Sequence, residues 1–417
     1  MFSPIHHTFA PLGDLSQCLL AFALTLQPWK YKRGAAVKRL ERALAEKFEC
    51  EAYTFGSGRE ALLALLKALK VRPGEEVIVQ GYTCVVVPNA IHASGALPKF
   101  ADIAEDTLNM DPASVEALMT PRTRAVICQH TFGIPADTTR LRALCDRYLP
   151  GRQAGGAVLI EDCAHSIPDQ NQSMGYSGDF VILSFGRDKA ISGISGGAVL
   201  SRDPATTMEL RKIQGTAVDH SMWTICRLLQ YPLFYAVARP LYGLWIGKAL
   251  LKALRSLRLL IPILDVQEKE GSMSPVLHRI PNACASLALA QLRSLRKIND
   301  HRRMLTRFYF EEARKRGWRF PGAILPYSLL QKFPLFFPGA EQLRRALKAE
   351  NIHLNDGWTG CVICPENIDL GKTEYVPGTD PAAEDVCVRI LSLPTHPKTS
   401  LRQARRLVEA IQQQIDN

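Results

Sequence analysis

Apolar and polar positions along the first half of the chain alternate between two periods, one of helices and one of short buried strands. Residues Ala35 to Lys47 repeat at helical spacing with mixed charge, and Glu60 to Lys70 form a leucine- and alanine-rich helix. Between them Ala52-Tyr53-Thr54-Phe55 reads as a strand, followed by the turn Gly56-Ser57-Gly58. Further apolar runs predict strands at 77–79, 98–102, 124–129, 158–162, 180–185 and 197–200, with helices at Asn89 to Ala93 and Asp137 to Tyr148. Seven strands interleaved with helices predict an α/β fold with a mainly parallel seven-stranded sheet covered on both faces. In such a sheet function collects at the carboxyl ends of the strands.

The pattern changes twice downstream. From Met222 to Leu264 apolar content is high, and Arg227, Arg239, Lys248, Lys252, Arg255 and Arg258 occur without any acidic residue. Read as one helix at about 100° per residue, 243–261 gathers Ile246, Leu250, Ala253, Leu254, Leu257 and Ile261 on one face, with Lys248, Lys252 and Arg255 opposite. One reading is a membrane-surface segment facing anionic lipid; the other is a helix packed on the body or across a dimer interface. A long helix is predicted from Ala283 to Arg316 and a closing helix from Leu401 to Gln414. The expected organisation is a large domain at 1–221, an apolar basic insert at 222–270 and a smaller C-terminal α/β domain at 271–417.

Composition narrows the class. The chain has 417 residues, 47% hydrophobic and 22% charged, which excludes disordered and collagen-like chains. The net charge of +11 suits an anionic partner: phosphorylated metabolites, an anionic membrane surface or nucleic acid. No nucleic-acid recognition motif accompanies the charge, so nucleic acid is not expected. Eleven cysteines without a framework pattern predict a reducing, cytoplasmic setting. Cys361-Val-Ile-Cys364 stands without a second CxxC or an HxxxH, so no metal site is expected from it. The apolar run Leu19 to Leu24 has Asp14 before it and its basic residues after it, the wrong order for a secretion signal. No run of about 18 uncharged apolar residues predicts a membrane-spanning helix.

Three features sit at predicted strand ends. Gly56-Ser57-Gly58-Arg59 opens a helix, and backbone N–H groups there form an anion site, although many such turns bind nothing. Glu161-Asp162-Cys163-Ala164-His165 ends an apolar strand; its acidic pair reads either as a helix cap or as a carboxylate set against a cationic ring nitrogen. Lys189 follows Ser184-Phe185 in a Gly- and Ser-rich turn. A lysine there is either solvated or desolvated enough to attack a carbonyl. A phosphate cradle, a carboxylate and a reactive lysine, in that order, suit pyridoxal 5′-phosphate (PLP).

These motifs resemble the DegT/StrS family of PLP-dependent sugar aminotransferases, which have the aspartate aminotransferase fold (fold type I). Ser57-Gly58-Arg59-Glu60-Ala61-Leu62 is similar to the family's SGTxAL, and Gly74 to Val79 to GDEVIVP. Leu108 to Pro112, Thr120 to Ala125 and His130 to Asp137 resemble LNIDP, TPRTKA and HLYGxPAD. Ile160 to His165 matches IEDAAH, Ser184-Phe185 with Lys189 matches SFxxxK, and Leu391 to Pro397 resembles LSLPxHP. The resemblance implies that Lys189 carries the cofactor and shuttles the proton, while Asp162 pairs with the pyridine nitrogen. It places His165 near the cofactor's 3-hydroxyl. Ser57, Ser184 and the Gly58–Arg59 backbone would hold the phosphate, and Cys84 would stand at the usually aromatic position against the ring. It also implies a homodimer, an amino-acid donor, by family habit glutamate, and a keto-sugar acceptor, nucleotide-linked or lipid-linked, in polysaccharide or cell-envelope glycan synthesis.

The chain departs from the family at four positions. Arg59 replaces a threonine, Cys84 an aromatic residue, Leu277 the asparagine that reaches the neighbouring subunit's phosphate, and Ser195 a glutamate. Two other readings therefore remain open: a different PLP reaction, such as dehydration or amination of a non-sugar carbonyl, and a non-catalytic binding protein.

Overall fold

The computed structural model describes residues 4–7, 12–147, 157–169 and 174–416. Its centre is a seven-stranded sheet of β1 (Glu51–Phe55), β2 (Glu76–Gln80), β3 (Leu97–Ala101), β4 (Thr123–Gln129), β5 (Val158–Asp162), β6 (Phe180–Ser184) and β7 (Gly197–Ser201). The spatial order is β1-β7-β6-β5-β4-β2-β3. β7 runs antiparallel to both neighbours, and the remaining pairs are parallel. All seven strands fall where the apolar runs predict them, because a sheet covered on both faces needs nearly continuous apolar strands.

Since β7 alone is reversed, the carboxyl ends of β1, β5 and β6 lie along one edge, beside the start of β7. The helix Gly58–Ala68 leaves that edge directly after β1, with Ser57 as its N-cap accepting from the Glu60 amide. It packs Ala61, Leu62, Leu65 and Leu66 into an apolar cluster with β1, β2 and β7.

The C-terminal chain builds a second cluster on an antiparallel pair, β8 (Lys332–Phe336) and β9 (Ile390–Pro394). This cluster reaches the large sheet through Tyr82, Val85 and Phe132. A two-residue strand at Thr83–Cys84 pairs with Ile363–Cys364, and Ile5–His6 pairs with Ile352–His353.

Several helices differ from their predicted extents; the one expected from Asn89 starts earlier, at Val86. The helix expected from Ala283 to Arg316 is two helices, Asn282–Arg293 and Leu295–Arg316, separated at Ser294. Serine offers its backbone an alternative hydrogen bond and favours such junctions. The predicted end of the 137–148 helix at Tyr148 lies outside the described residues; the observed helix is Thr138–Arg147.

The insert folds as Met222–Ala238, a short 3-10 turn, and Ile246–Ser256. The single helix over 243–261 is thus shorter than expected, and its apolar arc is divided. Leu254 is buried and Leu250 half-buried against the Ile225, Leu228 and Leu229 cluster, whereas Ile246 and Leu257 face solvent. Gly247 permits the tight junction: a Cβ there would stand 2.2 Å from the Ala238 carbonyl oxygen.

Candidate active site

The site forms where three strands end. β5 brings Asp162, β6 brings Ser184, and the loop after β6 brings Lys189. Successive side chains on a strand point to opposite faces, so Glu161 and Asp162 divide. Glu161 is the structural member. It is fully buried and accepts from the His130 ring at 2.9 Å and from the Gly175, Ser177 and Gly178 amides. Burial pushes its carboxyl up, but His130 and the Gly175 and Gly178 amides outweigh that and hold it below the ordinary value.

Asp162 is the poised member. It is buried, and one oxygen accepts from the Ala164 amide at 2.9 Å. Burial pushes its carboxyl up, only partly offset by that amide and by the charges of Lys189 and His130. A buried carboxylate raised in this way gains most from a further cation beside it.

Lys189 sits in a loop tied at both ends: the Phe185 amide bonds Gly196 O at 2.8 Å, and the Gly193 amide bonds Phe185 O at 2.9 Å. Ser184 and Lys189 are neighbours, since a Cβ on Gly186 would lie 3.4 Å from Lys189 Cγ and 3.7 Å from Ser184 Oγ. Ser184 in turn touches the helix start, because a Cβ on Gly58 would stand 3.0 Å from its Oγ. Gly197 permits the same closeness from β7: a Cβ there would meet Gly58 N at 2.5 Å. The helix N-terminus, Ser57 and Ser184 thus converge on the edge that holds Lys189, an arrangement suited to a phosphate.

His165 completes one side. Its Nδ1 accepts from the Phe132 amide at 3.1 Å, and its ring stacks on Phe132 with Trp358 edge-on at 5.1 Å. Burial, then Lys189 and Lys332, lower its pKa well below the usual value, so it is neutral with Nε2–H as a donor. Cys84 is close enough to Lys189 to feel its charge: burial pushes its thiol up while Lys189 opposes this.

The departures from the family pattern have their own contacts. The Arg59 guanidinium pairs with the buried Glu268 and donates to Ile263 O, so only the Arg59 backbone belongs to the helix start. Ser195 Oγ donates to Gly56 O at 2.7 Å and ties the lysine loop to the β1 turn. Leu277 is buried in its own chain's cluster beside the Gly58–Ala68 helix. Cys361 and Cys364 are free thiols with their sulfurs 3.7 Å apart.

Sequence reading missed a group of residues from the C-terminal half. Lys332 and Asp356 form a buried pair at 3.0 Å and, with Lys189, Arg302 and His396, line a cavity beside the site. Lys332 lies over the rings of Phe132 and Trp358. Arg302 is fully buried, donates to Lys189 O at 3.3 Å, and has no carboxylate partner among the described residues. One signal was available: a lysine opening the apolar run Phe333-Pro334-Leu335-Phe336 is unusual for a buried strand.

A strand-end lysine, a buried carboxylate and a helix start that can take a phosphate define a cofactor-dependent class of enzyme fold. The DegT/DnrJ/EryC1/StrS aminotransferase family model matches residues 18–226 and 262–412, and the chain belongs to that family. An L-glutamine:2-deoxy-scyllo-inosose aminotransferase of Streptomyces kanamyceticus is 34% identical over 185 residues, 43% of this chain and 42% of that protein. A UDP-N-acetyl-3-dehydro-alpha-D-glucosamine 3-aminotransferase of Acidithiobacillus ferrooxidans is 33% identical over 220 residues, 52% and 56% of the two chains. The chain spans about half the length of these two relatives. A Bacillus subtilis protein solved with bound cofactor PMP superposes with a TM-score of 0.74 at 17% identity, covering 100% of this chain and 86% of that one.

Proposed function

We propose that this chain is a PLP-dependent aminotransferase. It moves an amino group from an amino acid, with glutamate as the donor, to a keto sugar that is nucleotide-linked or lipid-linked. The product would serve polysaccharide or envelope glycan synthesis in the cytoplasm, and the working form would be a homodimer. The observation that carries this reading is the meeting of Lys189, Asp162, Ser184 and the Gly58 helix start at one sheet edge. Family membership and the aminotransferase names of the relatives support it.

The residues fit PLP. When bound, it supplies an electron sink that lets the α-hydrogen of an amino acid leave as a proton. Lys189 would tether the group through its side-chain amine and would take up and return that proton at Nζ. Asp162 would pair with the protonated ring nitrogen, a cation that would offset the burial now raising its carboxyl. Ser57, Ser184 and the Gly58–Arg59 amides would hold the phosphate. The neutral His165 would donate from Nε2, and Cys84 would stand against the ring, where the family resemblance puts it. Arg302, which has no carboxylate partner among the described residues, gives the adjacent cavity a cation suited to one carboxylate of the donor, while Lys332 is held by Asp356.

The test is amino transfer from labelled glutamate to a panel of nucleotide-linked and lipid-linked keto sugars. Label appearing in an amino sugar supports the reading. A protein that holds PLP but exchanges nitrogen with no donor would be a binding protein instead.

A further inference from the structure

The helix Leu15–Thr25 lies along Met222–Ala238, with Cys18 Sγ 3.6 Å from Pro232 O and Gln230 reaching Thr25. The Ile246–Ser256 helix continues this layer through the Gly247 junction. The inner residues of all three helices share one cluster: Ala21 and Leu24, Ile225 and Leu229, Leu251 and Leu254.

Their outer residues are not polar. Leu15, Leu19, Phe22 and Leu26 recur at helical spacing, and each is more than half exposed, Leu15 at 75%. Trp29 is 72% exposed, Trp245 73% and Leu257 68%. An outward set of this size on adjoining helices marks an interaction surface, not scattered exposure.

Charge identifies the partner. From Leu15 to Leu40 the charged residues are Lys30, Lys32, Arg33, Lys38 and Arg39, with no acid. From Met222 to Leu264 there are six basic residues and again no acid. These eleven basic residues equal the whole net charge of +11. Arg33 is paired with Asp219, while Lys252, Arg255 and Arg258 are exposed. Lys248 lies 4.3 Å over the Trp245 ring, an aromatic and a cation side by side as at a lipid headgroup boundary. Residues 227–261 fall between the two stretches that the family model matches, so the Ile246–Ser256 helix and most of Met222–Ala238 are added to the family core, while the Leu15–Thr25 helix lies largely within it.

We infer that this face docks on an anionic lipid surface, with the apolar side chains at the acyl boundary and the basic ones among the headgroups. A second copy is the poorer occupant, because a two-fold contact sets the same predominantly basic surface against itself, with Asp14 and Asp219 as its acids.

The experiment is flotation of the full-length protein with phosphatidylglycerol-containing vesicles and with pure phosphatidylcholine vesicles, at low and high salt. The wild type should float with the anionic vesicles at low salt and be released by high salt. A variant carrying Lys252→Glu, Arg255→Glu and Arg258→Glu, and one carrying Leu19→Glu, Phe22→Glu and Trp245→Glu, should each partition about tenfold less or lower. Circular dichroism checks that both fold; if the apolar variant does not, the charge variant decides. A wild type that stays at the bottom overturns the inference, and if light scattering then finds the folded variants smaller, the face joins two copies. Equal flotation on both vesicle types, or a charge variant that floats like the wild type, also overturns it.

Discussion

The sheet edge around Lys189 and the helical layer around Trp245 use polar and apolar side chains in opposite ways. At the edge, charged and hydroxyl groups are buried and held by named partners: Asp162 by Ala164, His165 by Phe132, and Lys332 by Asp356. In the layer, large apolar groups are exposed and the cations beside them are mostly solvated. Burying a polar group is costly unless a ligand or partner satisfies it, so the edge is organised for a bound group. An exposed apolar set gains by being covered, as the proposed lipid contact would do for the layer.

Breaking the edge should have the largest effects. Lys189→Ala should lower amino transfer by about a thousandfold or more while the protein remains folded, measured by labelled-glutamate turnover and circular dichroism. Asp162→Asn should lower turnover by about 10²–10³-fold, since an amide cannot hold a ring-nitrogen proton through its charge. A Michaelis constant that changes while turnover stays normal would remove Asp162 from the chemistry.

Stability tests come next. Lys332→Met leaves Asp356 buried without its cation and should cost about 3–5 kcal/mol in urea unfolding. Asp380→Asn sharpens the point with pH. Burial, then Asp102, raises the Asp380 carboxyl to about 6 in the folded chain. The folded state therefore holds this proton more tightly, and the wild type loses stability as pH rises from the unfolded value near 3.8 through about 6. The amide should stabilise by up to about 2 kcal/mol above that window and change nothing below it. The smallest effect belongs to the layer: Leu19→Glu should shift unfolding in solution by no more than about 0.5 kcal/mol, because its side chain is already exposed.

How much of this was legible follows from where each signal lies. The strands were readable because each is a short continuous apolar run, and Asp162 and Ser184 because they end such runs, with Lys189 in the Gly-rich loop just after. Lys332, Asp356 and Arg302 come from three distant elements, and only folding brings them beside Lys189. The break at Ser294 was hidden because helical spacing continues on both sides of it. In the insert, periodicity identified the apolar residues but not which of them turn inward: Leu254 is buried and Leu257 is not. The run at Leu19 to Leu24 was visible as apolar, yet its division into inner Ala21 and Leu24 and outer Leu19 and Phe22 depends on the neighbouring Met222–Ala238 helix.

The most direct test of the central claim is the absorbance of the PLP-loaded protein, titrated first with glutamate and then with a keto sugar. The account predicts that glutamate converts the bound cofactor's spectrum to that of the pyridoxamine form, that the keto sugar restores it, and that Lys189→Ala shows neither change at the wild-type rate. A Lys189→Ala protein that cycles like the wild type, or a wild type whose cofactor spectrum no amino acid alters, would contradict it.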